Sequence, residues 1–235
     1  MIKKEMLYEG KAKQIYKTKE DDKLIVLFKD DATAFNGEKK GQISGKGVMN
    51  NKISNIFFKL LADNDVPTHL LEEISETEVL VRKLEIIPVE VVMRNIAAGS
   101  LAKRLGLEEG TVMSQPVLEF YYKDDDLGDP MINEYHIYAQ KMADREEIAR
   151  IKELSFKINE LLTNFLKDKS IELVDFKLEF GKGSDGKIYL GDEISPDTCR
   201  FWDSETREKL DKDRFRRDLG GVEGAYQEIL RRLQG

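Results

Sequence analysis

The chain has 235 residues, of which 38 are Lys or Arg and 45 are Asp or Glu, so its formal net charge is −7. This acidic balance argues against a protein that binds duplex nucleic acid through a strong basic field. With 40% hydrophobic and 35% charged residues, the composition is typical of a folded soluble protein. The length suits one large domain, or two smaller domains that share a cleft.

The N-terminus and the cysteine count restrict the compartment and the metal chemistry. Residues 1–5 lack the apolar stretch of a signal peptide, and no run approaches the roughly 18 apolar residues of a spanning helix. We therefore expect a cytoplasmic protein without a membrane partner. One cysteine, Cys199, and two histidines are too few for an internal disulfide or for a structural zinc or iron–sulfur site. Any metal is expected to have oxygen ligands.

The first 84 residues predict a small antiparallel sheet with one helix. Short runs bounded by turn residues predict strands at 7–8, 13–16 and 24–28. Apolar residues recur at helical spacing over 48–62, which predicts a helix there. Pro67 then breaks the chain.

A second β region is predicted at 79–84 and 89–93. Pro88 lies between the two segments and cannot donate within a ladder, so it is predicted to mark a domain joint. The resulting boundary near residue 85 divides the chain into a small sheet domain, 1–84, and a larger α+β domain, 85–235.

Two further helices are predicted in the second domain. Asp144, with Glu147 three positions later, has the pattern of a capping box. The stripe predicted to be buried behind this cap comprises Ile148, Ile151, Leu154, Ile158, Leu161 and Phe165. A closing helix is predicted over 222–233, with cations in its last turn.

Two glycine-rich segments resemble nucleotide-binding loops but have the wrong context. Residues 181–186 match G-x-G-x-x-G, yet the β-rich run 187–191 follows, and Asp185-Gly186 is typical of a hairpin turn. Residues 41–47 have neither the spacing of a Walker A loop nor Ser or Thr after the lysine. Any ATP must therefore bind in another way.

The segment 173–181 carries the most informative pattern. Its period-two alternation places Asp175, Lys177 and Glu179 on one face of a strand and large apolar residues on the other. Taken alone, the three charges favour a solvent-exposed face. After the turn, however, a return strand leads to Asp192, and antiparallel pairing can bring this residue beside Glu179.

Two carboxylates on neighbouring strands indicate a cation site. Mg²⁺ retains several waters and needs only one or two carboxylates together with phosphate oxygens. Glu179 and Asp192 are therefore the predicted metal ligands.

The segment 8–16 contains Lys11 and Lys13, two positions apart after a glycine turn. In a strand, both ammonium groups lie on one face and can neutralise a polyphosphate. An isolated pair of this kind more often discourages edge-strand pairing. The prediction of a phosphate site depends on the nearby magnesium site.

An anion site is predicted around the segment 87–106. Ser100 has the position of an N-cap of a short helix that ends before Gly106, and Arg94 lies six residues earlier. An ordinary capped helix with a surface arginine remains an equal alternative. Arg200 can reach the same anion or can pair with a neighbour such as Asp203. Cys199 is interpreted as an inert small residue.

These segments together resemble the phosphoribosylaminoimidazole-succinocarboxamide synthase (SAICAR synthetase) family over essentially the whole chain. The residues that carry the resemblance are 10–13, 31–37, 87–100, 129–130, 174–181, 191–197 and 211–216. The resemblance implies an α+β fold, with ATP in a cleft between a small N-terminal antiparallel sheet domain and a larger α+β domain, distantly like kinases and ATP-grasp enzymes. It also implies a homodimer.

The implied reaction condenses CAIR, a carboxyaminoimidazole ribonucleotide, with L-aspartate and ATP to form SAICAR, ADP and phosphate. It would belong to purine biosynthesis, depend on Mg²⁺ and pass through an acyl phosphate. Site roles follow from the residues and the resemblance together: Lys177 and Asp175 are catalytic; Lys11, Lys13 and Lys123 bind ATP; Arg94, Ser100, Arg200 and Asp129 bind substrate; Glu179 and Asp192 bind the metal. A small-molecule kinase and a non-catalytic nucleotide sensor are the alternatives.

Overall fold

The computed structural model describes residues 3–34 and 38–235. Phe35, Asn36 and Gly37, which belong to the family-like segment 31–37, lie outside the described residues. The strands are β1 (Met6–Glu9), β2 (Lys13–Lys17), β3 (Lys23–Phe28), β4 (Asp31–Ala34), β5 (Lys39–Gln42), β6 (Leu70–Glu73), β7 (Glu78–Arg82), β8 (Glu85–Ile96), β9 (Val112–Tyr122), β10 (Met131–Ile132), β11 (Ile171–Lys182), β12 (Ile188–Leu190) and β13 (Cys199–Asp203). The helices are α1 (Lys46–Ala62), α2 (Gly99–Leu105), α3 (Glu134–Ala139), α4 (Arg145–Lys167), α5 (Asp213–Arg216) and α6 (Val222–Gln234).

The strands form two antiparallel sheets and one separate hairpin. The first sheet has the order β1-β2-β3-β7-β6, and the second has the order β10-β9-β8-β11-β12, with β13 also paired to β11. The hairpin consists of β4 and β5. This arrangement confirms the α+β class and the three predicted N-terminal strands.

The change from the first sheet to the second lies between β7 and β8. β7 ends at Arg82 and β8 begins at Glu85. Pro88, however, lies inside β8, so the prediction of a joint at this residue is wrong. The Pro88 carbonyl accepts from the Lys123 backbone at 3.1 Å, and the facing strand β11 has an irregular register between Glu179 and Gly181. The missing N–H therefore falls at a bulge and does not interrupt the strand.

The main apolar core crosses the sheet boundary. It joins α1 residues such as Ile53 and Phe57 to α4, to α6 and to the apolar faces of β8 and β11. A smaller cluster, which includes Val26 and Val81, lies within the first sheet. Because α1 contributes to the main core, the first 84 residues share their principal packing with the rest of the chain.

The predicted helix ends are mostly present. Asp144 caps α4, and the reciprocal bonds of a capping box connect it with Glu147. Leu162 and Leu166 are buried in α4, whereas Leu161 and Phe165 are only partly buried against the core, so the end of the predicted stripe is corrected. No helix among the described residues is both long and apolar enough to cross a membrane.

Candidate active site

A cavity of about 720 Å³ lies between the two sheets. Apolar side chains of the first sheet, including Ile15, Leu24, Val26 and Val81, line part of it. Every residue predicted to belong to the site, except Ser100, also lines it: Lys11, Lys13, Arg94, Lys123, Asp129, Asp175, Lys177, Glu179, Asp192 and Arg200. The fold therefore brings together residues that are far apart in the sequence.

The strand β11 has the predicted alternation. Phe176, Leu178 and Phe180 are buried in the core, while the opposite face contributes to the cavity. Asp175 and Glu179 are only 3% and 6% exposed, which excludes the alternative of a face open to bulk solvent. The residues 183–187 form a turn between β11 and β12, so the G-x-G-x-x-G match is part of a hairpin.

Three lysines form ion pairs with three carboxylates beside the β11–β12 hairpin. Lys177 Nζ lies 2.6 Å from Glu179 Oε1 and 2.8 Å from Glu90 Oε1. Lys123 Nζ lies 2.9 Å from Glu179 Oε1. Lys13 forms a hydrogen-bonded ion pair with Asp192. We call Lys13, Lys123 and Lys177, with Glu90, Glu179 and Asp192, the lysine–carboxylate cluster.

The cluster favours the charged forms of Lys177 and Asp192, whereas burial raises the pKa of Glu90. Burial lowers the pKa of Lys177, but Glu179, Asp192 and Glu90 outweigh this effect and raise it well above the ordinary value. Burial raises the pKa of Asp192, but Lys13 and Lys177 hold it well below its usual range. Paired charges of this kind tolerate a low-dielectric site, where isolated charges would not persist.

The structure brings the two predicted metal ligands to the same lysine. Asp192 Oδ2 lies 3.7 Å from Lys177 Nζ, which also contacts Glu179. Among the described residues, no group of three or more Asp, Glu, His or Cys side chains is arranged to hold a metal. Two carboxylates are sufficient for Mg²⁺ when phosphate oxygens and waters complete the shell, so this donor set fits Mg²⁺ bound with a nucleotide.

Arg94 and Arg200 both donate to the carboxylate of Asp175. Arg94 Nη1 lies 2.7 Å from Asp175 Oδ2, and Arg200 Nη1 lies 2.8 Å from the same oxygen. Arg200 also pairs with Asp213 at 2.9 Å, while Asp203 pairs with Arg232, so the predicted alternative partner Asp203 is wrong. These bonds orient two guanidinium groups at one end of the cavity.

Ser100 is close to Arg94 but is not an N-cap. Ala98 occupies the N-cap position of α2, and the Ser100 hydroxyl accepts from Arg94 Nη2 at 3.2 Å. Gly99 has a φ of +52°, and a Cβ there would lie 2.6 Å from Arg200 Nη2. The glycine therefore permits close approach of the Arg200 guanidinium at the first residue of α2.

Lys11 and Lys13 do not share a strand face. β2 begins at Lys13, and Lys11 precedes it and lies 2.7 Å from Asp125 Oδ1. Both lysines nevertheless line the cavity. Asp129, in the same loop as Asp125, has a φ of 48° and accepts from the Asp124 backbone at 3.0 Å.

Several cavity residues were not predicted from the sequence. Glu90 lies opposite Glu179 across the β8–β11 pair, a relation that requires knowledge of the strand register. His69 is buried against Phe58. Burial is the larger cause and the charge of Lys13 the smaller cause that lower the pKa of His69 to about 4. Lys212 also lines the cavity. For Glu90, the period-two pattern of 89–93 was the available signal.

Cys199 is buried, and burial raises its pKa, as expected of an inert thiol.

The sequence and the fold both match those of known proteins. The sequence profile described as SAICAR synthetase matches residues 6–233. The phosphoribosylaminoimidazole-succinocarboxamide synthase of Coprothermobacter proteolyticus is 61% identical over 233 residues, which cover 99% of both chains.

Two solved structures share the fold over nearly their full length. The crystal structure of the corresponding synthase from Ehrlichia chaffeensis has a TM-score of 0.96 and 46% identity, with 98% of each chain covered. A structure described as a type-2 SAICAR synthetase in complex with ADP has a TM-score of 0.95 and 52% identity, again over 98% of each chain. With the family profile and these relatives spanning almost all of its residues, the chain belongs to the SAICAR synthetase family.

Proposed function

We propose that the chain condenses the carboxylate of CAIR with the amine of L-aspartate at the expense of ATP and Mg²⁺. The observation that carries this proposal is one cavity lined both by the lysine–carboxylate cluster and by the arginine pair Arg94 and Arg200. One end suits a metal-bound triphosphate, and the other suits the phosphate of a ribonucleotide. Family membership makes the chain an ATP-dependent ligase of purine biosynthesis.

The expected chemistry begins with activation of the CAIR carboxylate. A carboxylate is a poor electrophile, so its oxygen first attacks the γ-phosphorus of ATP, and ADP leaves. The aspartate amine then attacks the acyl phosphate carbon, and phosphate leaves. In such a pathway, the main contributions of the protein are to position the reactants and to neutralise their negative charge.

The residues have distinct proposed roles. Lys11, Lys13 and Lys123 hold ATP phosphates, and Lys177 screens the CAIR carboxylate from the γ-phosphoryl group. Glu179 and Asp192 would hold Mg²⁺, which supplies charge neutralisation at the transferred phosphoryl group. Lys13 and Lys177 now neutralise these two carboxylates, so we infer that they turn toward phosphate oxygens when the nucleotide binds.

The remaining roles concern the substrates. Arg94, Ser100 and Arg200 are proposed to bind the phosphate of CAIR, since all three lie in one hydrogen-bonded group with Asp175. Asp175 orients both arginines, and Asp129 is proposed to contact substrate from its loop.

We also propose that the protein is a homodimer located in the cytoplasm. Sedimentation analysis tests the oligomeric state, and cell fractionation tests the location.

A coupled assay for ADP tests the function. With ATP, Mg²⁺, CAIR and L-aspartate together, we expect continuous ADP release and formation of SAICAR. Without aspartate, ADP release should stop after about one turnover, because the acyl phosphate is not consumed. Sustained release without aspartate would instead identify a kinase, and no release with all substrates would identify a nucleotide sensor.

A further inference from the structure

Five lysines line the cavity, and four of them have a close carboxylate partner. Lys11 and Lys123 lie 2.7 and 2.9 Å from Asp125 and Glu179. Lys177 lies 2.6 Å from Glu179, and Lys13 is bonded to Asp192. The fifth, Lys212, is different, since its Nζ lies 3.8 Å from Asp197 Oδ2 and has no closer carboxylate among the described residues.

Asp197 is already occupied by other partners. Its Oδ2 lies 2.6 Å from Lys46 Nζ, and its Oδ1 accepts from the Tyr226 hydroxyl at 2.7 Å. Lys46 is therefore the closer cation at this carboxylate, and Lys212 shares it only from 3.8 Å. The Lys212 side chain is only 12% exposed, so water compensates poorly for the weakness of this long pairing.

We propose that Lys212 is the catalytic proton acceptor that deprotonates the α-ammonium group of L-aspartate before it attacks the activated carboxylate. Lys212 can accept a proton only in its neutral form, and its buried position, with Asp197 no closer than 3.8 Å, makes that form more accessible than in the four closely paired lysines. The proposal rests on the function proposed above, and it assigns a residue to the second half of that reaction.

The electrostatic surroundings support this assignment. Burial is the largest influence and lowers the pKa of Lys212, and the neighbouring cations Arg216 and Lys46 lower it further. Asp197 and Glu193 act in the opposite direction but do not reverse the shift. In contrast, carboxylate partners raise the pKa values of Lys13, Lys123 and Lys177, which keeps those lysines charged.

The proton balance of the step is simple. Neutral Lys212 takes one proton from the aspartate ammonium, and the freed lone pair forms the C–N bond at the acyl carbon. The bond between the acyl carbon and the bridging oxygen then breaks. The leaving phosphate takes a second proton from the nitrogen of the new C–N bond and departs as HPO₄²⁻. Protonated Lys212, with Asp197 nearby to stabilise its charge, releases its proton to solvent before the next turnover.

Three variants test the role of Lys212. Lys212→Met removes the amine at similar length, Lys212→Arg keeps a charge that cannot be lost, and Lys209→Met is the matched control. Lys209 is three residues earlier, is paired with Glu109 at 2.5 Å and does not line this cavity. For the Met and Arg variants at position 212, we expect kcat to fall about 100-fold or more, with the aspartate KM nearly unchanged. Lys209→Met should retain wild-type kinetics.

Two readouts separate this role from a structural one. Positional exchange of ¹⁸O within ATP, measured with CAIR but without aspartate, reports carboxylate activation alone and should persist in Lys212→Met. In Lys212→Ala, added ethylamine should restore SAICAR formation about tenfold, because a free amine can replace the missing base. Wild-type kcat should also fall toward low pH as Lys212 is protonated, and this limb should be absent in Lys212→Met.

The outcomes are distinguishable. Near-wild-type kcat in Lys212→Arg, or a loss confined to the aspartate KM, would overturn the proposal and make Lys212 an anchor for a substrate carboxylate. Loss of the isotope exchange, or no rescue by ethylamine, would also overturn it. If the wild-type protein makes no SAICAR at all, the proposed function fails before the variants are compared.

Discussion

Lys46 and Asp197 form an ion pair whose side chains are only 1% and 4% exposed, with Nζ and Oδ2 2.6 Å apart. Lys46 begins α1, and Asp197 lies in the loop between β12 and β13. The pair therefore joins the N-terminal part of the chain to the loop that follows the proposed metal ligand Asp192. It also occupies the carboxylate that Lys212 would otherwise use.

Lys46→Met is expected to destabilise the protein by about 3–5 kcal/mol, because it leaves a buried carboxylate without its closest cation. Urea unfolding at pH 7 measures this loss. The matched control is Lys52→Met in the same helix, since Lys52 pairs at 2.8 Å with Glu76, which is 75% exposed. That substitution should change the free energy of unfolding by less than about 1 kcal/mol. Equal losses in the free energy of unfolding for the two variants would show that the buried pair stabilises the protein no more than the exposed pair does.

Asp213 predicts a pH dependence of stability. Burial raises the pKa of Asp213, but Arg200 and Arg216 outweigh it and lower the pKa to about 2 from the ordinary 3.8. A lowered folded-state pKa stabilises the protein above pH 4, and this contribution disappears as the pH falls from 4 through 2. Its size is about 2 kcal/mol.

Asp213→Asn should therefore reduce the free energy of unfolding near pH 7 and differ less from wild type as the pH falls below 4. Chemical unfolding at pH 7, 4 and 3 measures the difference. Glu228→Gln is the surface counterpart: hydrogen bonds to Arg231 and Arg232 also lower the pKa of Glu228 to about 2, but solvent screens these pairs, so its effect on stability should be much smaller. A difference between Asp213→Asn and wild type that stays constant with pH would contradict the lowered pKa.

Glu179→Gln should reduce turnover far more than it weakens CAIR binding. The substitution removes a charge from the proposed metal pair while leaving Arg94, Arg200 and Ser100 in place. Initial rates over a Mg²⁺ series, together with a calorimetric CAIR titration, separate the two effects. Unchanged activity at saturating Mg²⁺ would refute the metal role of Glu179.

Arg94→Ala should weaken CAIR binding, since Arg94 donates at 3.2 Å to Ser100 and orients the proposed phosphate site. It also leaves Asp175 and Glu119 short of a partner, so a loss of stability of about 3–5 kcal/mol is expected alongside. Ser100→Ala avoids this second effect and should weaken CAIR about tenfold. A titration of Ser100→Ala that gives native affinity would argue against the anion site.

Local patterns account for the parts of the structure that were predictable. The period-two alternation of β11, followed by Asp185-Gly186, needs only strand geometry and turn chemistry to be recognised. The Asp144–Glu147 capping box is likewise contained within four residues. Both features depend on neighbours in the sequence, and both are present in the fold.

The errors arise where distant contacts decide the local conformation. Ser100 is not the N-cap, and its hydroxyl instead accepts from Arg94, while Gly99 beside it lies against Arg200 from a distant part of the sequence. Pro88 remains within a strand because it lies in the irregular part of the β8–β11 pair, where residues 87–89 of β8 oppose only Phe180 of β11. Lys212 carries no local signal, since its lack of a close partner depends on Lys46 and Tyr226 occupying Asp197.

The shared core also limits how the chain can be divided. Because α1 packs with α4 and α6, cutting the chain near residue 84 would expose apolar core residues on both fragments. Neither half could then be exchanged for a foreign module as a self-sufficient unit. The two sheets are therefore expected to unfold together, in one cooperative transition.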